Sequence, residues 1–541
     1  MQMNLMYLYR TDMKWIFVHM NLKWRLLGVL LGLSVLYGFW QHFFDGIQPI
    51  HECRKADSIS QAMQFMHGAK LTEPRTHAIS NTGHREAAAE FPIVYYVVGQ
   101  LWKLIGFKLW YAKLLGISYL LVALVRFRKV LSWFFNSERE VLLMSGLIMS
   151  MPVLIYYADS LLPNVYAFSS LLLAASFFYQ FTESPRIRYW LFFTLFLSLA
   201  VLIKITAIIA PLSFIGASFF YRLQRDRFVV VKEKQTWWIV ASFFVVLIFT
   251  AWWYRYAIQY NALYQSTIFS TTTRPIWEVD AATRWRIIDV LVTQHLREWT
   301  HPIVLIPLLF VPLVLWFKNV LPLYFKYWLA VSLLGLAGYF VLWFWVFDVH
   351  DYYLIEALFF PLTFFALAIK YREQVLPLPR IRTWIYRLAL VVVFLNTISF
   401  TQIAAGNQNI IVKNTFLTSA LVRGNWGWFY FNHREGLGQV QDQTYELQQV
   451  INQTDTVFCF SDPYPNVQLS TIDRVGFSGY GYRRNCSNSL MIRRWIRMGA
   501  SKLLVLKADT SNALIKPYLV DQCYHKNNVF VYDLARFRKQ R

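Results

Sequence analysis

This sequence predicts an α-helical polytopic membrane protein of about 11 to 13 spans, followed by a small C-terminal α/β domain. Apolar stretches of roughly 17 to 22 residues, enough to cross a hydrocarbon core of about 30 Å, recur through the first three quarters of the chain. The composition agrees: 57% hydrophobic, 18% aromatic, 15% charged, with mean hydropathy +0.36. After about Gln402 the residues turn polar, which sets the boundary between a membrane part, 1–403, and a soluble part, 404–541.

The expected spans lie near Leu26–Phe43, Tyr111–Val130, Val141–Tyr157, Leu161–Phe181, Tyr189–Ile203, Thr206–Tyr221, Trp237–Tyr254, Pro302–Phe317, Tyr324–Phe347, Leu354–Ile369 and Trp384–Phe400. Pro92–Ile105 reads as a further span or an interfacial helix. The basic start (Arg10, Lys14, Lys23, Arg25) has no convincing cleavage site after it, so an uncleaved anchor is expected.

Lys and Arg collect in cytoplasmic loops. With the N-terminus inside, the inner loops carry Arg126, Arg128, Lys129 and Arg139, then Arg222, Arg225 and Arg227, then Lys370, Arg372, Arg380 and Arg382. The outer turns at Asp159-Ser160 and Phe347–Tyr352 carry none. An odd number of spans with an external C-terminus follows. The formal charge of +23 is thereby explained by topology, and no nucleic-acid motif accompanies it.

Sorting the polar residues by side places Glu52, Asp57, Glu90, Asp159, Asp348, His350 and Asp351 at external ends or loops. The expected catalytic loop is 44–91. Within it His51-Glu52-Cys53-Arg54-Lys55-Ala56-Asp57 clusters ionisable groups beside a span, a costly arrangement that usually marks a site. The stretch Ser58–Gly68 has helical spacing (Ile59, Ala62, Met63, Met66), which predicts a helix along the membrane surface with Asp57 at its N-cap. Capping by itself could account for Asp57.

The order of these features resembles a GT-C glycosyltransferase, similar to bacterial relatives of protein O-mannosyltransferase and lipid A aminoarabinose transferase. The residues that carry the resemblance are Arg54-Lys55-Ala56-Asp57-Ser58, Glu90-Phe91-Pro92-Ile93-Val94-Tyr95-Tyr96, Tyr157–Pro163, Leu202–Thr206 and His350-Asp351-Tyr352-Tyr353. It spans roughly residues 25 to 400. Some relatives carry Lys between the acid and the proline; Phe91 here weakens the case for a phosphate contact from that element.

The resemblance implies transfer of a sugar from a polyprenyl-phosphate-linked donor, on the external face and with inversion. Asp57 is then base or acceptor-orienting group, supported by Glu90, while Arg54, Lys55, Arg85 and Lys204 are candidate cations for the donor phosphate. Glu52, Asp159, His350, Asp351 and Tyr352 are candidate substrate contacts. Each has a plainer alternative: Lys204 as a snorkelling cation, Arg54 and Lys55 paired with Glu52 or Asp57, Arg85 solvated, Asp159 in a polar turn, Tyr352 in an aromatic belt. The acceptor is a glycolipid, lipid A, a polysaccharide or a protein, and membrane lipids surround the chain. No obligatory cofactor is expected. His51, Glu52, Asp57 and Glu90 match no closed zinc pattern, and a divalent cation stays open.

In the tail, Thr456–Phe460 and Lys502–Leu506 read as buried strands and Asn488–Met498 as a helix, within a periplasmic domain from about residue 430. Cys486–Cys523 is the first candidate disulfide, with free thiols as the alternative. Asp462-Pro463-Tyr464-Pro465-Asn466 reads as a turn before a binding loop. P-loops, dinucleotide fingerprints and His-Glu-x-x-His motifs are absent. A flippase for lipid-linked glycan is the alternative function, disfavoured because the spans hold few mid-membrane polar groups.

Overall fold

The structure is a computed structural model that describes residues 21–38, 43–227, 229–266, 268–269, 274–404, 410–479 and 489–538. Arg10, Lys14, Arg483, Arg484 and Cys486 lie outside the described residues, as does part of the first expected span. Cys53, Cys459 and Cys523 are free thiols.

Ten of the eleven apolar stretches fall mainly on helix, and of the first, Leu26–Phe43, the part Leu26–Leu36 is helical. Among the described residues, Pro163–Glu183, Ile205–Asp226, Lys234–Leu263, Leu323–Leu342 and Pro379–Ala404 are each long and apolar enough to cross a membrane, and three bent pairs raise the number to eight if each is one span. Fewer stretches qualify than the sequence suggested because several are short or broken. The pairs Glu138–Met149 with Pro152–Ala158, Ala281–Glu298 with Pro302–Phe317, and Asp351–Ala357 with Pro361–Lys370 bend by 68°, 98° and 57°. Every second half restarts at a proline in its first turn. Proline lacks an N–H and disfavours helix in the residue before it, so it ends one segment and begins another. The long helices leave Phe244, Ile248, Phe310 and Leu334 exposed, as a lipid-facing surface requires.

The C-terminal domain holds a five-stranded sheet: β1 (Thr456–Cys459), β2 (Gly476–Ser478), β3 (Ala500–Leu506), β4 (Asp521–Lys526) and β5 (Val529–Asp533). The order is β2-β1-β3-β5-β4, with β1 parallel to β2 and β3, and β5 antiparallel to β3 and β4. The central strands carry apolar runs, Val457–Cys459 in β1 and Leu503–Leu506 in β3, because both faces are covered there. Phe458, Leu503 and Val505 pack on one side with Trp495, and Val457, Leu504 and Leu506 on the other with Leu469.

This domain is joined to the 44–91 loop by backbone pairing. His77 O accepts from Gly476 N at 3.0 Å and Gly476 O from Ile79 N at 2.6 Å, so residues 77–79 extend the edge beside β2. The loop therefore cannot shift without the domain.

The surface helix runs Glu52–Met66, and Asp57 sits more than a turn inside it. The expectation of an Asp57 N-cap is corrected: His51 is the N-cap, in a left-handed conformation after Ile50, also at positive φ. A β-branched residue at φ 58° is strained by roughly 1–3 kcal/mol. The surface helix packs on Ile93–Ile105 at Gly99, where a Cβ would lie 2.5 Å from the Ala62 carbonyl oxygen and 2.7 Å from Phe65 Cβ. Gly99→Ala is expected to cost about 1–3 kcal/mol by overpacking against backbone. Gly32→Ala, with nothing within 4 Å in the interior of Leu22–Leu36, is neutral or stabilising. Thermal unfolding of the two variants in detergent checks the ordering.

Candidate functional site

Six pieces of chain meet at the start of the surface helix. Asp57 is 2% exposed and Glu90 8%, and a carboxylate taken out of water is stable only with partners. Arg54, one turn before Asp57 on the same helix, donates to Glu90 Oε1 and approaches the Tyr95 hydroxyl at 3.4 Å. Tyr95 OH also donates to Glu90. Glu90 is held where Phe91 N bonds Leu202 O at 3.0 Å, just before the Ile93–Ile105 helix that Pro92 introduces.

Leu202 belongs to Ile187–Ile203, whose end delivers Lys204. The Lys204 ammonium lies 3.3 Å from the Tyr353 hydroxyl and 4.3 Å from the centre of its ring. Lys204 and Glu90 feel each other's charge. The Asp351–Tyr353 turn also brings Tyr352, 4% exposed, within the field of Arg54. Beside them His51 Nε2 lies 3.0 Å from Asp351 Oδ1, which accepts from Tyr157 OH at 2.6 Å. The His350 ring lies tilted beside that of His51, ring centres 5.5 Å apart.

The remaining wall comes from the C-terminal domain. Asn466 Nδ2 donates to Asp57 Oδ1 at 2.8 Å. Glu52 Oε2 lies 2.7 Å from His433 Nδ1, and Asp462 is fully buried within the fields of Glu52 and Asp57. Nothing in the sequence linked Asn466 to a residue 409 positions earlier; Tyr95 was quoted only as part of the Glu90–Tyr96 motif, and His433 carries no signal that would pair it with Glu52, 381 positions earlier.

The two acids are tuned apart. Burial pushes the Asp57 carboxyl up to about 7, with Glu90 adding to the rise and Arg54 and Asn466 opposing it. Burial also pushes Glu90 up, but Arg54, Lys204 and the Tyr95 hydroxyl together outweigh it and hold Glu90 below the ordinary carboxylate range. One acid thus titrates near neutral pH while its neighbour stays charged, the pattern that separates a base from a fixed countercharge.

Three sequence candidates go elsewhere. Lys55 turns from Asp57 to Pro49 O (3.0 Å), Gln48 O (3.5 Å) and Tyr156 OH (3.1 Å). It pins the strained turn at Ile50-His51, with Asp159 nearby, and burial lowers its ammonium to about 7. Arg85 lines a separate cavity of about 440 Å³ with Arg75, Lys70, His67 and Asp473. Arg85 bonds Gln64 Oε1 there at 3.4 Å. Asp159 lies with Lys55 and Lys113 around a small pocket. Among the described residues no group of three or more His, Cys, Asp or Glu is arranged to hold a metal ion.

No protein-family model and no curated protein matches the sequence. Solved structures do match the fold. ArnT from Cupriavidus metallidurans in the apo state superposes with TM-score 0.56 at 10% identity, covering 95% of this chain and 98% of ArnT. The same protein bound to undecaprenyl phosphate gives 0.53 at 10% identity, covering 93% and 97%. The Archaeoglobus fulgidus oligosaccharyltransferase in its apo form gives 0.49 at 9% identity, covering 90% of this chain and 70% of that one. The likeness to ArnT shows that this chain shares that protein's fold along nearly its whole length.

Ionising Asp57 in the fold is unfavourable. Its folded pKa lies above the ordinary 3.8, so stability present at low pH is lost as pH rises toward and through about 7. Asp57→Asn should therefore raise thermal stability, by an amount on the order of a few kcal/mol above pH 7 that shrinks as pH falls toward 4. Unfolding midpoints of wild type and variant at pH 5 and pH 8 check this; a variant less stable at pH 8 would contradict it.

Proposed function

We propose that this chain is a GT-C membrane glycosyltransferase that moves a sugar from a polyprenyl-phosphate-linked donor to an acceptor hydroxyl on the external side of the membrane. The single observation that carries the reading is the buried Asp57 carboxyl, one helical turn from an Arg54 that is ion-paired with Glu90, within that fold; burial pushes this carboxyl up to about 7. A base works best when its pKa is near the working pH. ArnT binds undecaprenyl phosphate, which supports a polyprenyl-phosphate lipid as donor carrier here.

In this mechanism Asp57 takes the proton of the acceptor hydroxyl as its oxygen attacks the anomeric carbon. The bond from that carbon to the phosphate oxygen breaks, its electron pair passes to the phosphate, and attack from the opposite side inverts the centre. Lys204 and Arg54 stabilise the charge that grows on the leaving phosphate, and preorganised cations in a site shielded from water are effective at this. Glu90 holds Arg54 in place. Tyr352 and Tyr353 offer ring faces against which sugar or lipid can pack.

The reading puts the site and C-terminal domain in the periplasm of a bacterial inner membrane. The exposed Cys523 gives a test of sidedness. A membrane-impermeant maleimide should label wild type in right-side-out spheroplasts and label Cys523→Ser less. Loss of that difference there, with its appearance only in inverted vesicles, would reverse the topology.

Transfer is tested with membranes given a radiolabelled polyprenyl-phosphate sugar pool. Wild type should label one acceptor class, and Asp57→Asn at equal abundance should lose about 10²-fold or more of that activity, the usual contribution of a positioned base. Full activity in the variant would remove Asp57 from the mechanism. No transfer by wild type above a deletion strain would favour a flippase of lipid-linked glycan.

A further inference from the structure

We infer that the C-terminal domain is part of the reaction centre: Asn466 is a positioning residue that orients the Asp57 carboxylate and holds it ready to accept a proton. The inference rests on the reading of Asp57 as the reacting base. Among the described residues, the Asn466 amide makes the one hydrogen bond to that carboxylate, at 2.8 Å on Oδ1.

The orientation of the Asn466 amide is dictated by its surroundings. Ala78 N, a backbone group that can only donate, lies 2.8 Å from Asn466 Oδ1. The oxygen must therefore face Ala78, and the NH₂ must face Asp57 as a donor. Ser60 Oγ reinforces the same end at 3.2 Å. Asn466 is completely buried, and its backbone is left-handed, φ 79°, a conformation that asparagine accepts better than most residues. It begins the short Val467–Ile472 helix packed against the surface helix.

The clamp does not end at Asn466. Ser60 Oγ also accepts from His77 N at 2.8 Å and lies 2.9 Å from His77 Nδ1, and His77 Nε2 lies 2.9 Å from Asp473 Oδ1. These contacts run from Asn466 in the C-terminal domain through Ser60 and His77 of the 44–91 loop and back to Asp473 of the domain. The chain of contacts therefore locks Asn466 to both bodies, so the amide cannot swing from Asp57 without breaking several buried bonds. A donor to the ionised form favours that form. The charged or titratable groups that also face Asp57 are Arg54 and Cys53 on its own helix, Glu90 from the segment before Ile93–Ile105, and Asp462 from the Asn466 loop.

The test is the pH profile of sugar transfer in the full-length protein, for wild type, Asn466→Asp, Asn466→Ala and Asp57→Asn. Aspartate keeps an acceptor for Ala78, tolerates the left-handed backbone and replaces the donor with a competing carboxyl. Asn466→Asp should lose at least about tenfold in kcat at neutral pH, with the acid limb moved up by about one pH unit or more and KM for the donor little changed. Asn466→Ala should move the limb in the same direction by less. A purely structural role would lower activity at every pH together with the unfolding midpoint, and leave the limb where it is. That result, or a wild-type profile in both Asn466 variants while Asp57→Asn is inactive, overturns the inference and leaves the transferase reading intact. An active Asp57→Asn instead overturns the transferase reading itself.

Discussion

A carboxylate that must remain ionisable while shut away from water is the constraint on which the rest of this site depends. Burial alone favours the protonated form of Asp57. The protein answers with a cation one helical turn away, a second acid that fixes that cation, and an amide brought from the other end of the chain. Each partner needs its own scaffold. Proline sets the break that presents Glu90, the end of Ile187–Ile203 delivers Lys204, and the strained Ile50-His51 turn aims His51 at Asp351.

The strain at that turn also explains Lys55. A buried ammonium beside Asp57 would compete with Arg54 for the same carboxylates. Bonded instead to the carbonyls of Gln48 and Pro49, it fastens the turn that starts the surface helix. The C-terminal domain is more than an appendage in the same sense. Its sheet edge pairs with residues 77–79, and its Asp462–Asn466 loop closes over the helix that carries Asp57.

Much of this was legible before the fold was seen, and the reasons differ by element. Apolar runs fall on helices because the bilayer demands internally satisfied backbone over a set length. Asp57, Arg54 and Glu90 could be grouped because ionisable residues beside a span are costly and rarely idle. Asp57 was misjudged as an N-cap because capping chemistry suits several nearby residues, and the left-handed turn at Ile50-His51 leaves no sequence signature. Arg85 was grouped with the site by charge and loop, yet it lines another cavity, since residues 76–79 first follow the edge of a distant sheet.

By itself the sequence determined the membrane class, the polar tail with its buried strands, and the short list of acids and cations from which a site could be built. Those follow from local quantities: hydrophobic length, strand and helix periodicity, and the cost of placing charge beside lipid. Only the tertiary structure decided which members of the list meet. It pairs Arg54 with Glu90, turns Lys55 away, and carries Asn466 across 409 residues to the carboxylate of Asp57. The physical reason is that a hydrogen bond acts over about 3 Å. Which groups come that close is set by the packing of whole helices and one sheet edge, which no local pattern of residues encodes.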